Sequence, residues 1–147
     1  MTKTSIEKKD YEIVAKYIKD ISFEIPSPDN FVDAAQNLGS YTTKLDINSK
    51  PYKKNLIELN CKFHLKAPEM IKKRIHAEIC VSILFKIINT KITPEEMKKI
   101  ILVKIPKEHF DYMKDIVTYL FQKSGFKNFN LNKEVDFEEL YREQYTN

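Results

Sequence analysis

The sequence predicts an α+β fold: a four-stranded antiparallel sheet, with C-terminal helices packed on one face. Three observations predict it. Apolar and polar residues alternate with period two through four segments between Tyr11 and Ile87. Prolines and small polar residues (Pro26 to Asn30, Asn48 to Pro51, Pro68) separate those segments. After Asn89 the spacing becomes helical, so the strands come first and the helices second.

The first segment runs from Tyr11 to Ile25. Tyr11, Ile13, Ala15, Tyr17, Ile21, Phe23 and Ile25 share one parity, with Glu12, Lys16, Asp20, Ser22 and Glu24 on the other. Tyr17–Ile25 therefore reads as a strand. Ile13, Val14, Tyr17, Ile18 and Ile21 also fit a helical stripe, which leaves a helix open for Ser5–Ile18. Pro26-Ser27-Pro28-Asp29-Asn30 predicts a loop that runs to Gly39 and carries Phe31. Tyr41, Thr43, Leu45 and Ile47 mark a second strand, ended by Asn48 to Pro51. Ile57 to Ala67 and Ile75 to Ile87 alternate most clearly and predict an antiparallel pair with one buried face.

Thr93-Pro94-Glu95-Glu96 is a helix start. Thr93 serves as N-cap, Pro94 sits in the first turn, and Glu96 closes a capping box. Ile105-Pro106 predicts an interruption, because proline lacks the backbone donor that a helix interior needs. A second helix follows over Lys107–Lys123, with an apolar stripe of Phe110, Met113, Ile116, Val117, Leu120 and Phe121 and a stop at Gly125. Asp136 caps a short last helix. The whole chain, 1–147, reads as one domain: a flexible start (1–10), a sheet region (11–89) and a helical region (93–145).

Composition narrows the function. Only two glycines occur, Gly39 and Gly125, so no glycine-rich phosphate loop or nucleophile elbow is available. Cys61 and Cys80 form no CxxC and read as small buried thiols in a reducing compartment. His64 and His76 fall on the polar face of the predicted strand pair without a third ligand, a weak basis for zinc. These features predict no enzymatic role, no cofactor and no metal. The N-terminus lacks a signal-type apolar stretch and no segment is long and apolar enough to span a membrane, so a cytoplasmic protein without membrane insertion is expected. Net charge is +4, nearly all from lysine, with Arg74 and Arg142 the only arginines. Nucleic-acid readers usually spend more arginine, so no nucleic acid is expected as partner.

Ten consecutive residues, Tyr17-Ile18-Lys19-Asp20-Ile21-Ser22-Phe23-Glu24-Ile25-Pro26, resemble the opening strand of the SecB family of export chaperones. Lys44-Leu45-Asp46-Ile47 resembles that family's second strand. Phe129-Asn130-Leu131 and Val135-Asp136-Phe137-Glu138-Glu139-Leu140-Tyr141 resemble its C-terminal ending. The resemblance covers residues 11 to 145. It is weakest before the main helix, where only Pro106, Phe110 and Tyr112 match the family pattern.

The resemblance implies an ATP-independent holdase that keeps unfolded preproteins competent for export. It implies a homotetramer built as a dimer of dimers, with clients lying in apolar grooves, and docking on the SecA motor. Phe31, Tyr41, Thr43, Leu45, Phe110, Tyr112 and Met113 are the candidate groove residues; ordinary core packing is the alternative for each. Asp20, Glu24 and Glu78 stand where the family presents acidic docking residues. The same fold also suits a dedicated chaperone of one client, such as an antitoxin in a toxin–antitoxin system.

Overall fold

The computed structural model describes residues 9–131 and 134–145. Four strands, β1 (Tyr11–Glu24), β2 (Thr42–Lys53), β3 (Leu56–Lys66) and β4 (His76–Ile87), form one antiparallel sheet in the order β1-β4-β3-β2. Helices α1 (Pro28–Asn37), α2 (Pro94–Lys99), α3 (Ile105–Lys123) and α4 (Phe137–Tyr145) complete the fold. The α+β expectation holds.

Alternation explains the core. Leu59, Cys61 and Phe63 of β3 and Ile79, Val81, Ile83 and Phe85 of β4 lie on one face and are buried. Ile105, Met113, Val117 and Phe121 of α3 belong to the same core, at the three- and four-residue spacing of a helix face. Phe121 is clasped by Phe23, Phe126 and Phe129, with ring centroids 5.0, 6.1 and 4.2 Å away. Burying each such side chain stabilises the fold by about 1.5–3 kcal/mol.

Several details depart from the sequence reading. The helix left open for Ser5–Ile18 does not form over its described part, which is β1; residues 1–8 lie outside the described residues. Of the start expected to be flexible, Asp10 is anchored: its backbone carbonyl accepts from Ile88 and Asn89, and its carboxylate from the Asn89 amide.

β1 carries two bulges, at Val14 and at Lys19. Each inserts one residue, so sidedness inverts at the first and is restored at the second. Ala15 and Tyr17, expected beside Ile13, therefore face the side of Ser82 and Leu84 instead.

Phe31 is not on a loop. Ser27 caps α1 by accepting from the Asn30 backbone N–H, and Pro28 occupies its first turn. The proline and small polar residues that read as a breaker are the N-terminal signal of a helix. β2 does not end at Pro51 either; it continues to Lys53, because an edge strand tolerates proline.

Nor does Pro106 interrupt the helical run. A π-helical turn at Ile100–Lys104 joins α2 to α3, and the Ile105 backbone N–H donates to the Ile100 carbonyl. The widened turn accommodates the missing proline donor. The capping box at Thr93 and Glu96 forms as predicted.

Candidate functional site

The sheet offers two faces and two free edges. On the helix side, at the β2 edge, Thr43, Leu45, Phe63, Phe110, Leu131 and Val135 line one mostly apolar crevice, with Lys44 also in its lining. Its open space is about 10 Å³, room for at most one water. Phe110 stands between Phe63, 6.5 Å away and stacked, and Phe137, 5.5 Å away and edge-on. Across the β2–β3 register, Leu45 lies opposite Phe63. β2 is an edge strand, with no further strand beside it among the described residues. Backbone donors and acceptors on that edge therefore sit next to an apolar strip.

A second concavity adjoins α1. A cavity of about 540 Å³ is lined by Ala35, Leu38, Gly39, Phe126 and Phe129, with Lys127, Asn128 and Asn130 supplying polar rims. Phe31 packs on Phe126, ring centroids 5.2 Å apart. Gly125 ends the turn after α3 with φ +106, and a Cβ there would lie 2.7 Å from the Phe31 ring. Both the conformation and the contact require glycine.

The seven candidate groove residues thus divide. Thr43, Leu45 and Phe110 come together at the crevice. Phe31 supports the second concavity from behind. Tyr41 is buried, its hydroxyl accepting from the Ile75 backbone N–H at 3.4 Å. Two positions do not meet the rest. Met113 is 0% exposed and belongs to the interior, because it shares the core stripe of α3 with Val117. Tyr112 packs under the Lys16 ammonium, 4.4 Å from its ring centre, toward the opposite sheet edge. A two-residue step along a helix turns a side chain by about 200°. Phe63, Leu131, Val135, Phe126 and Phe129 were missed. Phe63 carried only a core-strand signal, and the C-terminal residues lie on irregular backbone without periodicity.

Among the described residues, no helix covers the Ser82 side of the sheet. Ser82 is 0% exposed there; its hydroxyl donates to the Asn60 side-chain oxygen at 2.6 Å, and the Asn60 amide donates to Asn48 at 3.1 Å. The Tyr17 hydroxyl and Lys19 both donate to Glu58, holding that carboxyl below its ordinary range, with Lys19 the larger cause.

Asp20, Ser22 and Glu24 alternate along β1 on this face, opposite Cys80, Glu78 and His76. The three predicted docking carboxylates therefore share one patch. Glu78 is bound by Lys62 at 3.1 Å, with His64 at 3.6 Å and His76 at 3.9 Å. The Lys62 ammonium holds the Glu78 carboxyl below its ordinary range. Asp20 and Glu24 are exposed. Both histidines converge on one carboxylate, and no group of metal-binding side chains occurs among the described residues. Cys61 and Cys80 are unbridged and buried; burial pushes the Cys61 thiol up to about 12, far from a reactive thiolate.

Comparisons with known proteins agree with this architecture. The family model for preprotein translocase subunit SecB matches residues 4–147. A SecB relative from Pelagibacter ubique is 30% identical, covering 92% of this chain and 97% of its own length. The protein-export protein SecB of Orientia tsutsugamushi (strain Ikeda) is 33% identical over 95% of this chain and 85% of that protein. Among solved structures, a SecB-like chaperone of Mycobacterium tuberculosis, in complex with a peptide from an antitoxin, superposes with a TM-score of 0.64. It is 11% identical and covers 86% of this chain and 88% of that one, a likeness of fold. With the family model spanning nearly the whole chain and these relatives matched over most of their length, this protein belongs to the SecB family of protein-export chaperones.

Proposed function

We propose that this chain is an ATP-independent holdase of the cytoplasm that keeps unfolded preproteins competent for export. The observation that carries the reading is the apolar crevice beside the free β2 edge, where Thr43, Leu45, Phe63 and Phe110 meet. An unfolded client has two things to bury, its apolar side chains and its backbone polar groups. The crevice takes the first and the strand edge pairs with the second, which suits many sequences because backbone pairing ignores side-chain identity. Leu131 and Val135 already sit in the crevice, so a client's apolar side chain would take their place. The α1 cavity offers a second apolar surface.

The homotetramer is supported by the opposite edge. Val14, Ile18 and Ile21 of β1 are exposed large apolar residues on a 14-residue edge strand, a surface that favours pairing with a second copy. Docking on SecA is supported by the shared Asp20, Glu24 and Glu78 patch, which survives although the chain is basic overall.

The test is aggregation of several unrelated unfolded proteins, without nucleotide, in the presence of the chain. Suppression of all of them is expected. Leu45→Asp, a change at a half-buried position, is expected to weaken capture several-fold while the circular dichroism spectrum is kept. Suppression of no client sinks the holdase reading. Suppression of a single client moves the function to a dedicated chaperone. Native mass near four times the 17.4 kDa of one chain is expected for the assembly, and a monomeric mass overturns the tetramer.

A further inference from the structure

The tip of the β2–β3 hairpin, Lys50-Pro51-Tyr52-Lys53-Lys54-Asn55, belongs to neither the crevice nor the acidic patch. Every residue from Asn48 to Asn55 is exposed. The tip is nonetheless well held. Lys54 and Asn55 make the turn, with Asn55 at φ +63, a conformation that asparagine tolerates. The Asn55 carbonyl accepts from the Ile87 backbone N–H at 2.8 Å, which ties the turn to β4.

Three lysines stand on this tip, and no acidic residue occurs between Ile47 and Ile57. The chain's net charge is +4, so much of its basic character resides here. The one carboxylate opposite Lys50 in register, Glu58, is already engaged by Lys19 and Tyr17. Among the described residues, no carboxylate pairs with these lysines, and they present a positive surface.

Tyr52 adds an apolar element. It is the extra residue of a bulge between Pro51 and Lys53, and bulges re-aim side chains. The residue is 61% exposed, beside exposed Pro51, and the Lys53 ammonium lies 5.2 Å from its ring centre. A projecting, lysine-bearing tip with one amphipathic ring has the chemistry of the membrane–water interface: lysines attract anionic headgroups, and tyrosine settles at headgroup depth.

We infer that this hairpin tip docks the protein peripherally on an anionic phospholipid surface. Charge complementarity and the exposed tyrosine favour lipid over nucleic acid. The tip has no arginine, the residue that nucleic-acid readers usually spend on phosphates and base edges. Docking of this kind needs no membrane-crossing helix, and the described residues contain none.

The test is co-sedimentation of the full chain with phosphatidylcholine vesicles that either contain or lack phosphatidylglycerol. Binding to the anionic vesicles alone, weakened by added salt, is expected. The combined variant Lys50→Gln, Lys53→Gln, Lys54→Gln is expected to lose about a hundredfold in affinity. These positions are exposed, so unchanged circular dichroism and client capture identify a folded variant.

The chain has no tryptophan, so Tyr52→Trp supplies a single reporter. Its emission is expected to shift to the blue on anionic vesicles and to stay unmoved on neutral ones. Absence of vesicle binding overturns the inference, as does equal binding by the triple-glutamine variant. Lysine-dependent binding to RNA or to an acidic protein, without vesicle binding, overturns it in favour of that partner.

Discussion

The two faces of the sheet share the same strands but solve opposite problems. The helix-side face buries Leu59, Phe63, Ile79, Ile83 and Phe85 under α3, and its stability comes from apolar area and close packing. Among the described residues, the open face has no covering layer. It keeps its buried Ser82 and Asn60 satisfied through a hydrogen-bonded row running to Asn48, and it carries paired charges on the inner strands, Lys62 with Glu78 among them. The difference separates tasks. The apolar core and the crevice at Thr43, Leu45 and Phe110 sit on the helix side. The other face is polar, with the carboxylates Asp20, Glu24 and Glu78 toward one end and a lysine-rich hairpin tip at Lys50, Lys53 and Lys54. The mild net charge reflects pairing as well as sign, since on this face Lys62 binds Glu78 and Lys19 binds Glu58.

Substitutions on each face break or sharpen the contrast. The largest effect is expected on the helix side. Phe121→Ala removes the ring that packs against Phe23, Phe126 and Phe129 and should cost about 3–5 kcal/mol, read from the urea unfolding midpoint. A loss below about 1 kcal/mol would mean that α3 is not the main cover of the sheet.

A smaller loss is expected from Ser82→Ala on the open face. It removes the donor to Asn60 and should cost about 1 kcal/mol, measured the same way. Restoration of stability in Ser82→Thr, which keeps the hydroxyl, would tie the loss to the hydrogen bond.

The smallest effect belongs to Glu78. Its folded carboxyl is held low by Lys62, so its contribution is present above the ordinary carboxylate range and is lost as pH falls through the lowered folded value. The pair is solvent-screened, and the contribution is correspondingly small. Stability of the wild type should fall slightly more steeply than that of Glu78→Gln in acid, and the two curves should converge at the acid end. Parallel curves throughout would show that Lys62 and Glu78 do not interact in solution.

Much of the fold was legible because burial on one side imposes a period. The strands β3 and β4, the capping box at Thr93 and the core stripe of α3 follow from spacing alone. The errors have local causes. Two bulges each shift the parity of β1 by one residue, which carries Tyr17 to the open face, and pattern counting has no access to an insertion that only strand pairing defines. The segment before Phe31 reads as a breaker, yet the same residues start α1, since proline and capping side chains serve both purposes.

The candidate site was less legible than the fold. Thr43, Leu45 and Phe110 were identified and do meet, but Met113 and Tyr112 share their helix with Phe110 and point elsewhere. Phe63, Leu131 and Val135 come from distant parts of the chain, and only folding brings them to one crevice.

The sequence by itself determined the class of fold, the core faces of the inner strands and the membership implied by the Tyr17–Pro26 motif. These depend on local spacing and on which residues can be buried. The tertiary structure alone decided which apolar residues form a crevice, which carboxylates share a patch and which tyrosine projects from the hairpin tip. Those outcomes depend on register, bulges and the packing of an irregular C-terminal segment, where contacts between residues far apart in the chain set the position and no short-range period records them.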